Sequence, residues 1–152
     1  CLKSTRLPDE IVVCNDGGPK DLRDMLFGLQ RSVPLTYIDI TEDIPWNYNG
    51  CVNTLFWFAT GDIVALEDTD HIPGRNVYRD AVAFFENPDN AEIERLAFSR
   101  DVVEQTELAK PLEEWTVSRH WGPNDMVTVM RRDLYARMKG QDEKFAGAYG
   151  YF

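Results

Sequence analysis

Cysteine is scarce in this chain, and the three present, Cys1, Cys14 and Cys51, stand without C-x-x-C spacing. That excludes a disulfide framework and a thiolate zinc site, and it makes a reducing compartment the default. Basic residues are outnumbered: 16 Lys and Arg face 26 Asp and Glu, for a formal net charge of −10. Such a chain has no general attraction for nucleic acid or anionic lipid. An anionic ligand must be held locally, by a metal, a helix N-terminus or a few cations. No apolar run approaches the roughly 20 residues of a bilayer span; the longest is TLFWFATG. No secretory leader pattern is found either. The expectation is a cytoplasmic protein, with any membrane association left to segments flanking these residues. The chain opens at Cys1 and stops inside the aromatic, Gly-rich GAYGYF, so a trimmed or partial domain is expected.

What is present suffices for a core. With 152 residues, 43% of them hydrophobic and 12% aromatic, the chain fits one domain over residues 1–152. EIVVCN reads as a strand running into the turn DGG. In DLRDMLFGLQR, Leu22, Met25, Leu26 and Leu29 recur at helical spacing, and LTYIDI is the next strand. Val52, Leu55, Phe56 and Ala59 define a second helix, with Gly61 at its cap and Trp57 expected in its core face. DIVALE is a buried strand. NVYRDAVAFFENP is a helix opened by Asn76 and stopped before Pro88, EIERLAFS a strand, DMVTVM a strand, and RDLYARMK a helix ending at Gly140. Strand and helix alternate, as in an α/β fold with a Rossmann-like, mostly parallel sheet flanked by helices. Ligands in such folds bind beyond the carboxyl ends of strands. The acidic turns NDGG and EDTD both fall at such ends, so one crevice can serve both.

The second of these turns concentrates charge. ALEDTDHIP places Glu67, Asp68, Asp70 and His71 directly after the apolar strand. Asp68 and Asp70 flank one residue, so in an extended turn both carboxylates can face the same way. Acids this close need compensation, from water in a solvated turn or from a divalent cation in a site. Carboxylates without thiolate or imidazole clusters suit a hard ion, Mg²⁺ or Mn²⁺. His71 is either a neutral imidazole ligand or a surface partner of its acidic neighbours.

The segment NGCVNTLFWFATGDIVALEDTDHIP resembles the central stretch of family-two glycosyltransferases, which have the nucleotide-diphospho-sugar transferase (GT-A) fold. The family's helix ending in A-x-G-D, strand, D-x-D pair and nearby Pro are matched by Ala59, Gly61, Asp62, the strand, Asp68, Asp70 and Pro73. Upstream, DEIVVCNDGGPKD is similar to the strand ending in D-G-S. Downstream, GQDEKFAGAYGY is similar to the family's G-x-D-E-x-F-x-G-x-Y-G. Three positions depart from the pattern: Gly18 stands where Ser is usual, Val52 where Arg is usual, and the chain ends at Phe152 before the acid of Y-G-x-E-D. The family's first strand would precede Cys1.

The resemblance implies transfer of a sugar, with inversion, from a nucleotide-diphospho-sugar, a UDP-sugar by expectation, to an acceptor hydroxyl. It implies Mn²⁺ or Mg²⁺ on Asp68 and Asp70, with His71 as a third metal candidate. Asp16 and Asp68 fall on the nucleotide side, Asp16 at the aspartate that contacts the base. Asp142 and Glu143 are the general-base candidates. Trp121 is a sugar-stacking candidate on the acceptor side, with Arg119 and His120 beside it. Asn53, Asp62 and Glu67 read as structural. Two further readings stay open: a non-catalytic or partial sugar-nucleotide-binding domain, and a sugar-phosphate nucleotidylyltransferase. A homo-oligomer is also expected as an option, since an uncovered sheet edge exposes pairing groups.

Overall fold

The computed structural model describes residues 4–28, 32–42 and 44–145. Leu29 and the Gly-rich end at 146–152 lie outside the described residues. The first half alternates strand and helix: β1 (Ile11–Asp16), α1 (Leu22–Gly28), β2 (Leu35–Ile40), α2 (Tyr48–Phe58), β3 (Ile63–Leu66) and α3 (Val77–Glu86). Then come β4 (Arg95–Val103), β5 (Val117–Arg131) and α4 (Arg132–Arg137), with short 3-10 turns between and after them. β1 and β2 pair in parallel, from Ile11 opposite Leu35 to Asp16 opposite Ile40. β5 lies between β3 and β4 and is antiparallel to both. Among the described residues parallel pairing is thus confined to β1 and β2, and the α/β alternation carries on through α3 before β5 closes the second sheet from the other direction.

Side-chain alternation along β3 and β5 builds a core on each face of the second sheet. On one face Leu66 and Met130 pack with Val52 and Phe56 of α2 and Tyr135 of α4. The Phe56 and Tyr135 rings stack with centroids 3.7 Å apart, worth about 0.5–1.5 kcal/mol beyond burial. On the other face Val129 packs with Ala81 and Phe85 of α3, and Leu96 and Phe98 of β4 join them. Val52, where the family pattern has Arg, is 1% exposed in this core.

Three sequence expectations are corrected. Trp57 is 86% exposed, not core: the buried stripe of α2 runs through Val52 and Phe56, and the next residue turns about 100° away from it. Gly61 does not cap α2. The helix ends at Ala59 in extended backbone, its N–H bonded to Leu55 O, while Thr60 and Gly61 donate their N–H groups to the Glu10 carboxylate. The strand foreseen at DMVTVM extends back to Val117. Gly122 and Pro123 read as breakers, but the pairing with β4 shifts register between Ala97 and Arg100 and absorbs them as an irregularity. α1 forms as expected, yet carries no buried residue, and Met25 on its expected apolar face is 60% exposed.

Candidate functional site

β3 ends at Leu66 and delivers Glu67, Asp68, Asp70 and His71 into the loop before α3. A backbone bond from His71 N to Asp68 O, 3.1 Å, closes this loop into a turn. One ligand atom each from Asp68, Asp70 and His71 lies within 4.8 Å of the others. His71 Nδ1 is 3.1 Å from Asp70 Oδ1 and 3.9 Å from Asp68 Oδ2. Burial pushes the Asp68 carboxyl above the usual aspartate range; His71 and Arg100 oppose the rise and Asp70 adds to it. Two carboxylate oxygens converging on one point, one of them partly desolvated, form a hard donor set that fits Mg²⁺ or Mn²⁺. Glu67 is not part of it. Its carboxylate accepts a 2.8 Å bond from the Tyr78 hydroxyl of α3, and burial raises its pKa against that bond.

Asp16 closes β1. Its Oδ2 faces the Cys51 thiol of α2 at 3.8 Å, and its Oδ1 is buried with no hydrogen-bond partner among the described residues. The turn after it is set by Asn15, whose Oδ1 accepts from Gly18 N at 3.1 Å and whose Nδ2 donates to Asp39 at 2.9 Å. A Cβ at Gly18 would sit 2.1 Å from Asn15 Oδ1. That explains glycine where the family has Ser: the Asn15 side chain already fills the space.

α2 connects these groups. Tyr48, at its start, has its hydroxyl pKa pushed up to about 12 by burial and by the Asp68 charge. Cys51 meets Asp16. Asn49 Nδ2 donates to Asp142 O at 2.9 Å. Asn53 Nδ2 donates to Gln141 O at 2.9 Å and to Glu143 Oε1 at 2.7 Å, and its Oδ1 accepts from Gln141 N at 2.8 Å and from the Tyr135 hydroxyl. The segment carrying Asp142 and Glu143 is therefore docked on the helix that also touches Asp16. Both acids are exposed, with Asp142 Oδ1 accepting from Lys144 N at 3.0 Å.

The β4–β5 hairpin adds a third side. Arg100 stands opposite Trp121 and Val102 opposite Arg119, so these four share one face of the ladder. The guanidinium carbons of Arg100 and Arg119 lie 5.4 and 5.5 Å from the Trp121 ring centroid, and Arg100 Nη1 reaches His71 Nε2 at 3.3 Å. His120 belongs to the opposite face, paired with Asp101. The structure thus brings Asp68, Asp70 and His71 together and links them to Trp121 and Arg119 through Arg100. Arg100 and Tyr48 escape sequence reasoning because nothing local marks them; only the return of β4 and the placement of α2 bring them in.

A helix-flanked α/β sheet with acids at the ends of β1 and β3 and a D-x-D-H turn between β3 and α3 defines a GT-A fold of the nucleotide-diphospho-sugar transferase type. The family model for glycosyl transferase family 2 matches residues 1–140, and the chain belongs to that family. A search of curated proteins finds no match. Among solved structures the chain is similar to the mannosyltransferase PcManGT from Pyrobaculum calidifontis, determined in complex with GDP-Man and Mn²⁺. The identity is 18% and the TM-score 0.64, over 93% of this chain and 41% of that one. The chain thus spans less than half the length of this structural relative. Among the described residues no helix is long and apolar enough to cross a membrane.

Proposed function

We propose that this chain binds a nucleotide-diphospho-sugar on a divalent cation and serves transfer of the sugar, with inversion, to an acceptor hydroxyl. The observation that carries the proposal is the convergence of Asp68, Asp70 and His71 at the end of β3 in a family-two chain. Asp68 and Asp70 hold Mn²⁺ or Mg²⁺, with His71 facing them. A cation there supplies Lewis-acid neutralisation of the leaving diphosphate, which lets an acidic protein hold an anionic donor. Asp16, at the end of β1, accepts from a base N–H, which both uracil and guanine offer. The half-exposed Trp121 ring stacks on the acceptor beside Arg119. Asp142 or Glu143 removes the hydroxyl proton, from the segment that Asn49 and Asn53 fix.

The test is calorimetric titration of UDP and of GDP into the protein, with and without Mn²⁺, on wild type and on Asp68→Ala/Asp70→Ala. Binding of one nucleotide that requires both the metal and the aspartates is expected. Binding to neither nucleotide under any condition overturns the donor site. The exposure of Asp142 and Glu143 favours a second reading, nucleotide binding without turnover. Hydrolysis or transfer assays with the matching sugar nucleotide separate the two.

A further inference from the structure

Cys14 and Asp16 lie on one face of β1, because residues two apart in a strand point the same way. Cys51 of α2 sits over both. Its thiol donates to Asp16 Oδ2 at 3.8 Å and is in hydrogen-bond contact with the Cys14 thiol. Both cysteines are free and half-buried. No spacing in the sequence pairs them; the packing of α2 on β1 does. The sugar transfer proposed above has no use for a thiol, and two thiols in contact are the starting geometry for a disulfide.

Burial, the Cys14 thiol and the Asp16 charge push the Cys51 thiol up to about 12, and burial holds Cys14 above the ordinary thiol range. Both therefore rest protonated at neutral pH, which makes exchange slow without deciding where it ends. We infer that Cys14 and Cys51 form a reversible disulfide, made by exchange with a small-molecule disulfide of the glutathione class, that ties β1 to α2 and takes from Asp16 its thiol donor. One cysteine thiolate attacks a sulfur of the oxidant and displaces a glutathione thiolate. The other cysteine attacks the mixed disulfide and displaces the second. The cysteines are oxidised, the oxidant is reduced to two thiols, and the two cysteine protons end on them. The inference uses neither the metal nor the acids after β3. Its consequence for ligand binding rests on the reading of Asp16 as the residue that meets the base.

The experiment is incubation of the chain with oxidised glutathione at pH 8.5, followed by mass spectrometry and peptide mapping, on wild type and on Cys1→Ser, which leaves two thiols. Loss of two hydrogens, no retained glutathione and a linked Cys14–Cys51 peptide are expected at every protein concentration, with reopening by dithiothreitol. Cys51→Ser is expected to stop at the mixed disulfide on Cys14. Chain-to-chain dimers, glutathione retained on both cysteines, or no reaction of the native chain over days overturns the inference. The link is expected to raise the urea midpoint by about 1–2 M; an unchanged midpoint refutes a tie between β1 and α2. Titration of UDP and GDP with Mn²⁺ into the linked and open forms reads the effect on Asp16. Several-fold weaker binding by the linked form is expected, and equal binding refutes that effect. Binding of neither nucleotide by the open form refutes the donor site instead, while the peptide map still decides the link.

Discussion

Replacing Asn53 with Ala removes the side chain that joins α2 to α4 and to the segment carrying Asp142 and Glu143. Asn53 makes bonds to Gln141 N, Gln141 O, Glu143 Oε1 and the Tyr135 hydroxyl. At roughly 0.5–1.5 kcal/mol net per bond, losing all of them has an upper bound near 6 kcal/mol. The exposed Glu143 recovers its share from water, whereas Tyr135 is only 8% exposed and is left with a buried hydroxyl to satisfy. The expected loss is about 2–4 kcal/mol. With a urea m-value of about 2 kcal/mol/M, the unfolding midpoint falls by roughly 1–2 M at unchanged m. Asn53→Asp, which keeps the acceptor for Tyr135 and Gln141 N but sets a carboxylate against Glu143, falls between wild type and Ala. A midpoint shift for Asn53→Ala below about 0.3 M, equivalent to roughly 0.5 kcal/mol, refutes the view that this side chain holds the segment.

Other substitutions test other contacts. Gly140 has φ +71° and a Cβ there would lie 2.7 Å from Asn53 Oδ1, so Gly140→Ala costs about 1–2 kcal/mol for the left-handed backbone alone and more for the collision, measured by the same denaturation. Glu10 resists desolvation through bonds from Thr60 and Gly61 and the charge of Arg132, and its folded pKa is lowered. Its stabilisation is therefore present above the ordinary glutamate pKa and lost as pH falls through the folded value; wild type and Glu10→Gln differ in stability at neutral pH and converge in acid. Trp57→Ser changes stability by less than about 0.5 kcal/mol, whereas Val52→Ala, which opens a cavity, costs several times as much in thermal or urea unfolding.

Several elements are legible because each carries its own signal: β-branched runs in β1 and β2, an i, i+3, i+4 stripe in α2, and a positive-φ glycine after α4. Trp57 shows where such reading slips, since a large aromatic inside a helix suggests core although it stands off the stripe. β5 shows another limit. Its Gly122 and Pro123 look like a strand end, and only the matching irregularity in β4 lets them stay inside one. In the site, Asp68, Asp70 and His71 could be found because they are neighbours in sequence. Arg100 is 29 residues from His71, and Asn49 is 93 residues from Asp142. Those contacts depend on how α2 and the hairpin pack, which no local pattern encodes.

Asn49 and Asn53 grip residues 141 and 142 by main-chain atoms: the N–H and carbonyl of Gln141 and the carbonyl of Asp142. Any residue but proline offers the same atoms at 141, and every residue offers the carbonyl at 142. The side chains at these two positions can therefore be exchanged while the anchorage persists, whereas Glu143 is itself part of the grip. That separates anchorage from recognition. It makes 141 the natural place to diversify when a library is built to redirect what this edge of the protein meets, and it lets the proposed role of Asp142 as a base be tested by substitution without releasing the segment.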